Sequence, residues 1–262
     1  MDVGIIAVVK NENLYLKEWL DYHLGLGFDK IFLCDNNDGL GELDPFIGDR
    51  VEVVNYNSVE SVQRQAYTKE FLRLRDSFDW IMFIDIDEYV VLEEDPGIKE
   101  FLMHDRFENA QSIRLNWKVF SRGSDLDTSG DYRVFERFKD PFPMNEETFA
   151  KSIIRTTINY RSGTLFHGHG YYYRTEAVDV LGKKCLNYWS SSVRFNPIHK
   201  VAWVNHYPTK TMGEFIRQKY FRGGSNRNPQ RYSTLDYFFK YNSWTQEKED
   251  YGKKLIEEYK IQ

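Results

Sequence analysis

The segment that decides the fold reads Ile81-Met82-Phe83-Ile84-Asp85-Ile86-Asp87-Glu88. Its four leading apolar residues run directly into a cluster of carboxylates. An uninterrupted apolar run of this length is typical of a strand that is buried on both faces of a parallel sheet. Open α/β sheets bind their ligands at the carboxyl ends of such strands. The segment therefore predicts an α/β protein with a ligand site at residues 85–88.

The two aspartates of this segment are spaced to act together. Side chains two apart on an extended segment share a face, so we expect Asp85 and Asp87 to point at one target while Ile84 and Ile86 turn into the core. Two like charges repel unless a positive charge lies between them. Carboxylates together with substrate phosphates commonly hold Mg²⁺. We therefore expect a divalent cation, Mn²⁺ or Mg²⁺, shared with a diphosphate; a solvated acidic turn is the alternative.

Composition limits the class of protein. The chain has 262 residues, enough for one large α/β domain, and its net charge of -5 argues against a general nucleic-acid-binding protein. Cys34 and Cys185 give no disulfide framework. No apolar run approaches the length of a membrane span, and the first residues lack the features of a signal peptide. We expect a cytoplasmic protein, with peripheral attachment to the inner face of the membrane as an option.

Strands and helices alternate over the first 90 residues or so. Apolar runs predict strands at 3–9, 30–34 and 51–56, and helical spacing of apolar residues predicts helices at 14–26 and 62–75. The alternation indicates β-α-β units with right-handed crossovers and a mostly parallel central sheet flanked by helices. No Gly-x-Gly-x-x-Gly follows the first strand, which argues against a classical dinucleotide fold.

The pattern loosens after residue 91, and no convincing linker interrupts it. Further elements are predicted at 112–120, 151–158 and 201–204 as strands, and at 98–103, 215–221 and 235–259 as helices. We predict a single domain over residues 1–262, with a nucleotide-binding half at 1–91, an acceptor-binding and metal-completing half at 92–232, and a C-terminal helical segment at 233–262.

Several short motifs lie in order along most of the chain. They occupy residues 9–12, 15–23, 27–29, 35–36, 85–88, 136–138, 151–155, 205–207 and 222–223. Each is weak alone, but the ordered set resembles the GT-A (nucleotide-diphospho-sugar transferase) fold glycosyltransferases, specifically the family 2 and family 92 (DUF23-like) branch. Residues 119–124 differ from the small-residue Phe-Gly-Ser stretch expected in that branch.

The resemblance implies a hexosyltransferase type of reaction. A sugar would pass from a nucleotide-sugar to an acceptor, with a divalent metal and inversion at the anomeric carbon. Asp85 would meet the donor ribose or the metal, and Asp87 would bind the metal directly as a catalytic residue. We expect a UDP-sugar donor, a glycan or lipid-linked acceptor, and a role in the biosynthesis of surface polysaccharide or glycans.

A histidine is the expected third metal ligand. His206 follows the apolar run 201–204, and the resemblance implies a late His or Asp in this role. Imidazole together with carboxylates suits Mn²⁺ better than an all-oxygen calcium cage. His167 and His169 are rival ligands, because the glycines that follow each permit close approach of the backbone to a ligand. A hydrogen-bonded structural histidine is the alternative at either place.

Polar residues at other strand ends are candidates for binding the donor. In the related enzymes this edge holds the nucleoside, and Asp35 could accept the imide N–H of a uracil; an Asx turn is the alternative. The donor-binding candidates are Lys10, Asn11, Glu12, Asp35, Gln65, Asp85, Lys210 and Arg222, with Arg64 beside Gln65.

A basic segment follows His206. Residues 208–231 carry six Lys or Arg side chains against the single acidic Glu214, a local charge of +5 in a chain of -5. Such a segment suits a diphosphate or an anionic lipid-linked acceptor. A solvated basic helix face is the alternative.

An inverting transfer needs one base to deprotonate the acceptor hydroxyl. Glu136 is the candidate, because it lies inside the matching Glu-Arg-Phe segment at 136–138. The alternative bases are Asp125, Asp127 and Asp131 on the preceding loop. Glu136 could instead form an ion pair with Arg133 or Arg137.

Two other classes of protein compete with this interpretation. In haloacid-dehalogenase-like phosphatases the first Asp of an Asp-x-Asp is a nucleophile, but there the motif normally follows the first strand. A non-catalytic carbohydrate-binding protein could use the aromatic side chains, which form 16% of the chain, but it would not need carboxylates clustered at a buried strand end. We therefore favour a glycosyltransferase.

Overall fold

The computed structural model describes residues 1–57, 59, 62–121, 126, 132–142, 149–158, 166–167, 170–171, 177–185, 197–221 and 233–260. The chain divides into two compact units: Met1–Lys118 with Met144–Asn205, and Val119–Pro143 with His206–Gln262. These bounds do not coincide with the divisions at residues 91 and 232 that the sequence suggested. The single-domain organisation stays a prediction.

The elements follow one another in a β-α-β pattern at the start of the chain. The strands are β1 (Val3–Val9), β2 (Lys30–Asp35), β3 (Val51–Asn55), β4 (Trp80–Phe83), β5 (Glu88–Leu92), β6 (Ser112–Val119), β7 (Ala150–Arg155), β8 (Phe166–His167), β9 (Gly170–Tyr171), β10 (Ala177–Asp179) and β11 (Ala202–His206). The α-helices are α1 (Asn13–Gly25), α2 (Val62–Leu74), α3 (Ile98–Leu102), α4 (Val134–Arg137), α5 (Met212–Phe215), α6 (Leu235–Tyr241) and α7 (Gln246–Lys260).

The central sheet has the strand order β3-β2-β1-β4-β7-β6-β11-β5, and β10 pairs with β6. The pairs β3–β2, β2–β1 and β1–β4 are parallel. Strand β7 is antiparallel to both β4 and β6. The expected α/β class is confirmed: the first four strands pair in parallel, as do β10 and β6. Parallel pairing brings the carboxyl ends of β1, β2 and β4 to one edge of the sheet, where ligands bind in α/β proteins.

The strand expected to run through the acidic segment ends at Phe83. The backbone N–H of Glu88 donates to the carbonyl of Asp85 at 3.1 Å, so residues 85–88 form a turn and not the extended segment predicted. Ile84 and Ile86 are buried, as expected. The chain then enters β5, which is the last strand of the order and is separated from β4 by β7, β6 and β11. Alternation of apolar residues continues across this break, which is why the sequence pattern did not reveal it.

Helix α1 covers the free backbone edge of β5. Trp19 Nε1 donates to the carbonyl of Glu88 at 2.8 Å, and the hydroxyl of Tyr22 donates to the carbonyl of Val90 at 2.7 Å. His23 Nε2 accepts the Val90 N–H at 3.3 Å. Residues 88 and 90 direct their backbone groups to the same side of the strand. The three aromatic side chains therefore replace a neighbouring strand and protect an edge that could otherwise pair with another chain.

The second unit is helical around its own core. A five-residue π-helix (Ile216–Tyr220) continues α5. The core consists of Met212, Phe215, Ile216, Phe238, Leu255 and Ile256. The helix predicted at 235–259 is two helices, α6 and α7. Among the described residues, no helix combines the length and apolar character needed to cross a bilayer.

We predict that His23 makes the stability of the protein pH-dependent. Burial lowers the pKa of His23 to about 3, against a smaller opposing effect of the Trp19 carbonyl that accepts from Nδ1. The unfolded chain binds this proton near pH 6.5, so the stabilisation is complete above pH 6.5 and is lost as the pH falls toward 3. Urea denaturation should show a loss of about 2 kcal/mol between pH 6.5 and pH 5 from this group.

The control is His23→Gln, which does not titrate in this range. The difference in unfolding free energy between wild type and variant should shrink as the pH is lowered. Parallel pH profiles for the two proteins would contradict the prediction.

Candidate functional site

Three side chains hold the carboxylate of Asp85. Lys151 Nζ lies 2.6 Å from Oδ2, while Gln63 Nε2 and the hydroxyl of Tyr67 donate to Oδ1 at 2.9 Å and 3.2 Å. Gln63 and Tyr67 are one helical turn apart on α2, so both reach the same point. Both oxygens of Asp85 thus accept hydrogen bonds from the chain itself.

The ammonium of Lys151 also pairs with Glu88. Its Nζ lies 3.1 Å from Oε2 of Glu88, which further accepts the backbone N–H of Asp85 at 3.1 Å. Burial raises the pKa of Glu88 to about 8, and Lys151 opposes this rise. Burial lowers the pKa of Lys151, but Asp85 and Glu88 outweigh it and the net shift is upward. Part of the positive charge expected among these carboxylates is therefore a buried lysine.

Sequence reasoning missed Lys151 as a site residue. It lies in the matching segment 151–155, but nothing local connects it to residues 66 positions earlier. The available signal was its place in a buried strand, because a lysine is almost never fully buried unless it is paired.

The next two carboxylates lie close together. Asp87 is 6% exposed and Glu88 is fully buried, and each offers a carboxylate oxygen within 4.8 Å of the other. Oε1 of Glu88 accepts no hydrogen bond within the described part of the chain. Leaving a buried polar atom unsatisfied is costly, so such an atom suggests a missing partner. A divalent cation with a preference for oxygen ligands fits these two residues.

A second polar cluster lies at the ends of β1 and β2. Asp35, the last residue of β2, is 3% exposed, and its Oδ1 accepts the backbone N–H of Asn37 at 3.0 Å. Burial raises the pKa of Asp35, although hydrogen bonds from Asn37 lower it. Asn37 Oδ1 accepts the N–H of Asn11 at 2.6 Å, and its amide donates to Asn13 Oδ1 at 3.2 Å. Asn37, which sequence reasoning did not select, therefore joins both strand ends to the start of α1.

The other donor-binding candidates of this unit occupy varied places. Lys10 Nζ donates to Asp38 at 2.9 Å in an exposed pair. Glu12 is buried at the N-cap position of α1. Gln65 is exposed on α2, whereas the glutamine that contacts Asp85 is Gln63. Residues two apart on a helix point about 200° away from each other, so Gln65 does not share the direction of Gln63, and its role at the donor stays a prediction.

The candidate base lies in the second unit. Glu136 is on α4, its side chain is 56% exposed, and Lys139 lies 3.6 Å away. Arg137, one of the two expected ion-pair partners of Glu136, donates to both oxygens of Glu214 at 3.1 Å and 2.6 Å. The role of Glu136 as a base stays a prediction.

Two further candidates belong to the second unit. Lys210 is buried with a left-handed φ of 57°, immediately before the capping box that Thr211 and Glu214 form at the start of α5. His206 is the last residue of β11 and the first residue of the second segment of this unit. Both roles stay predictions. Candidates outside the described residues are Arg222, His169, Asp125, Asp127 and Asp131, while His167 lies in β8 with an undescribed side chain.

The carboxyl ends of β1, β2 and β4 carry polar residues at one edge of a parallel sheet, which is where open α/β sheets bind their ligands. The model of glycosyltransferase family 92 matches residues 6–236, and the chain belongs to this family. Membership confirms the resemblance seen in the sequence and the GT-A type of fold it implied. It favours a glycosyltransferase over the phosphatase-like and binding-protein alternatives.

Curated relatives match only a part of this chain. A family 92 protein of Oryza sativa subsp. japonica is 33% identical over 90 residues, which are 33% of this chain and 15% of that protein. A family 92 protein of Ricinus communis is 32% identical over 95 residues, 33% of this chain and 16% of that protein. The matched segments are thus a small fraction of these relatives.

Solved structures show weak similarity. The structure of S. aureus TarS 1-349 in complex with UDP-GlcNAc has 14% identity and a TM-score of 0.41, covering 60% of this chain and 46% of that one. The galactosyltransferase LgtC has 12% identity and a TM-score of 0.29, covering 43% of this chain and 46% of that one. These scores are too low to support any statement about residues of this chain.

We predict that Lys151→Met strongly destabilises the protein. The substitution leaves the fully buried carboxylate of Glu88 and the partly exposed carboxylate of Asp85 without their cation, and breaking a buried pair such as Lys151–Glu88 costs about 3–5 kcal/mol. Urea denaturation at pH 7 measures the loss. Adding Glu88→Gln should recover part of it, because one buried charge is then removed.

The matched control is Lys253→Met. Lys253 forms an ion pair with Glu249 at the surface of α7, where its side chain is 60% exposed. The decrease in unfolding free energy caused by Lys253→Met should be small compared with that caused by Lys151→Met. Equal effects of the two substitutions would show that the buried cluster has no special weight in stability.

Proposed function

We propose that this chain transfers a sugar from a nucleotide-sugar to an acceptor hydroxyl. The observation that carries the proposal is the turn at the end of β4, where Asp87 and Glu88 are buried with carboxylate oxygens within 4.8 Å of each other in a family 92 chain. Clustered buried carboxylates repel one another and cost stability, so a function that requires them is the simplest explanation.

The proposed donor is a UDP-sugar. The buried carboxylate of Asp35 lies at the end of β2, where α/β sheets hold nucleosides, and can accept the imide N–H of uracil. Asn37 holds its orientation through the backbone N–H that donates to Oδ1. The remaining residues proposed to contact the donor are Lys10, Asn11, Glu12, Gln65, Asp85, Lys210 and Arg222.

The reaction breaks the bond between sugar C1 and the diphosphate, which gains negative charge. A bound Mn²⁺ or Mg²⁺ would supply a positive charge that stabilises this leaving group. We propose Asp87 as its ligand, with Asp85 and His206 as the other candidates from the sequence. Lys151 offsets the charge of Asp85 and so limits the repulsion that Asp87 experiences.

On the acceptor side, Glu136 is the proposed base. Its exposed carboxylate can accept the proton of an acceptor hydroxyl, and a single displacement then inverts the anomeric carbon. The proposed acceptor is a glycan or a lipid-linked sugar in the synthesis of surface polysaccharide or glycans. We further propose a cytoplasmic site of action, with peripheral attachment to the membrane as an option.

We predict that Asp87→Asn folds normally and loses Mn²⁺-dependent binding of UDP. An amide is a poor ligand for a hard cation, while its shape is nearly that of the carboxylate. Isothermal titration calorimetry with UDP, with and without Mn²⁺, measures the effect, and His206→Ala should change it in the same direction. Asp21→Asn, at an exposed aspartate of α1, is the control. Unchanged Mn²⁺–UDP affinity in Asp87→Asn would rule out this residue as a ligand.

We predict that Glu136→Gln binds the donor normally but transfers sugar slowly. The amide cannot take a proton, and a general base contributes about 10²–10⁴-fold to the rate, so kcat should fall by that factor. Turnover with a UDP-sugar and proton NMR of the product give the rate and the anomeric configuration. Loss of donor binding, or a product with retained configuration, would refute the role of Glu136.

A further inference from the structure

We propose that Glu88, and not Asp85, is the carboxylate that joins Asp87 in holding the divalent cation. Asp85 is instead a positioning residue that is fixed by Lys151. This inference rests on the proposed function and specifies the ligands of its metal. It departs from the expectation that both aspartates of the Asp-x-Asp share the cation.

The surroundings of Asp85 argue against a role as a ligand. Its Oδ2 is 2.6 Å from Lys151 Nζ, and its Oδ1 accepts from Gln63 and Tyr67. A cation at either oxygen would approach the lysine ammonium or displace a donor. Lys151 is fully buried, so water could not replace Asp85 as its partner.

The surroundings of Glu88 have the opposite character. Its Oε2 is held by Lys151 and by the backbone N–H of Asp85, but Oε1 accepts no hydrogen bond within the described residues. That oxygen is fully buried, and Glu88 and Asp87 offer oxygens within 4.8 Å of each other. Coordination of a cation by Oε1 and Asp87 would supply the missing partner without disturbing the lysine.

The backbone holds Glu88 in this position. Its N–H donates to the Asp85 carbonyl at 3.1 Å, and its carbonyl accepts from Trp19 Nε1 at 2.8 Å. The turn between residues 85 and 88 is the reason that the two aspartates are not equivalent, because it removes the extended geometry in which residues two apart share a face. In this turn the adjacent residues Asp87 and Glu88 are instead the pair whose carboxylate oxygens lie close together.

Charge agrees with this division of roles. Asp85 and Lys151 form one neutral pair, which leaves the carboxyl groups of Asp87 and Glu88, and a bound cation would favour the ionised form of both. A divalent cation neutralises two such charges, and a buried site that is neutral overall avoids the cost of uncompensated charge. With Asp85 and Asp87 as ligands, Glu88 would keep an unsatisfied buried oxygen and only Lys151 as its counter-ion.

The test measures Mn²⁺ affinity directly, by the electron paramagnetic resonance signal of free Mn²⁺, with and without UDP. We expect Glu88→Gln and Asp87→Asn each to weaken Mn²⁺ binding at least about 10-fold more than Asp85→Asn does, because they remove an anionic ligand and Asp85→Asn removes only a positioning contact. Glu70→Gln is the matched control, because Glu70 is another buried carboxylate of the same unit, bound by Tyr56 and Arg73. Its Mn²⁺ affinity should equal that of the wild type.

Thermal melting shows whether each variant is folded at the temperature of the titration. If Glu88→Gln is not folded at that temperature, Glu88→Asp replaces it in the test. This variant keeps a carboxylate to pair with Lys151, but its shorter side chain no longer reaches the cation. Loss of affinity in Asp85→Asn with full affinity in the Glu88 variant would overturn the inference and leave the proposed function standing. Absence of Mn²⁺ binding by the wild type, with and without UDP, would overturn the metal requirement itself.

Discussion

The first unit depends on one buried ion cluster, in which the ammonium of Lys151 lies between the carboxylates of Asp85 and Glu88. Removing charges from water is costly, and the cost is offset only if each partner is held in good geometry. The cluster therefore fixes β7 against the turn that follows β4 and against the start of β5. Gln63 and Tyr67 add α2 to the same point, so four elements meet where the proposed chemistry occurs.

A second set of contacts holds the turn from the other side. Trp19 reaches the carbonyl of Glu88, while Tyr22 and His23 bind the backbone of Val90. Because β5 is the last strand of the order, these contacts complete a sheet edge and also orient the acidic residue that begins the strand. The residues that protect the fold from edge pairing thus also position the candidate site, so stability is coupled there to the proposed function.

Features that depend on neighbouring residues could be predicted from the sequence, whereas contacts between residues far apart in the chain could not. Strand β1 was predicted with its observed bounds, because its buried apolar run is a local signal. The burial of Ile84 and Ile86 also followed from local alternation. The turn after Asp85 and the contact between Lys151 and Asp85 could not be predicted in this way. Hydrophobic periodicity does not indicate which distant strand supplies a partner. For the same reason Gln65 was selected on α2 although Gln63 points inward.

The buried oxygen Oε1 of Glu88 accepts no hydrogen bond within the described residues, which bears on both stability and the proposed function. A buried polar atom without a partner lowers the free energy of unfolding, and native proteins retain such atoms mainly where a ligand, ion or water completes them. Glutamine, with an amide that donates, or leucine, with no polar atom, would suit a purely structural position better if Lys151 were also replaced. The chain instead combines three carboxyl groups with one lysine, so a divalent cation from solution would be neutralised by the two carboxylates that Lys151 does not offset. This shortfall of positive charge, and not the Asp-x-Asp spacing by itself, is the physical reason to propose a divalent cation at this turn.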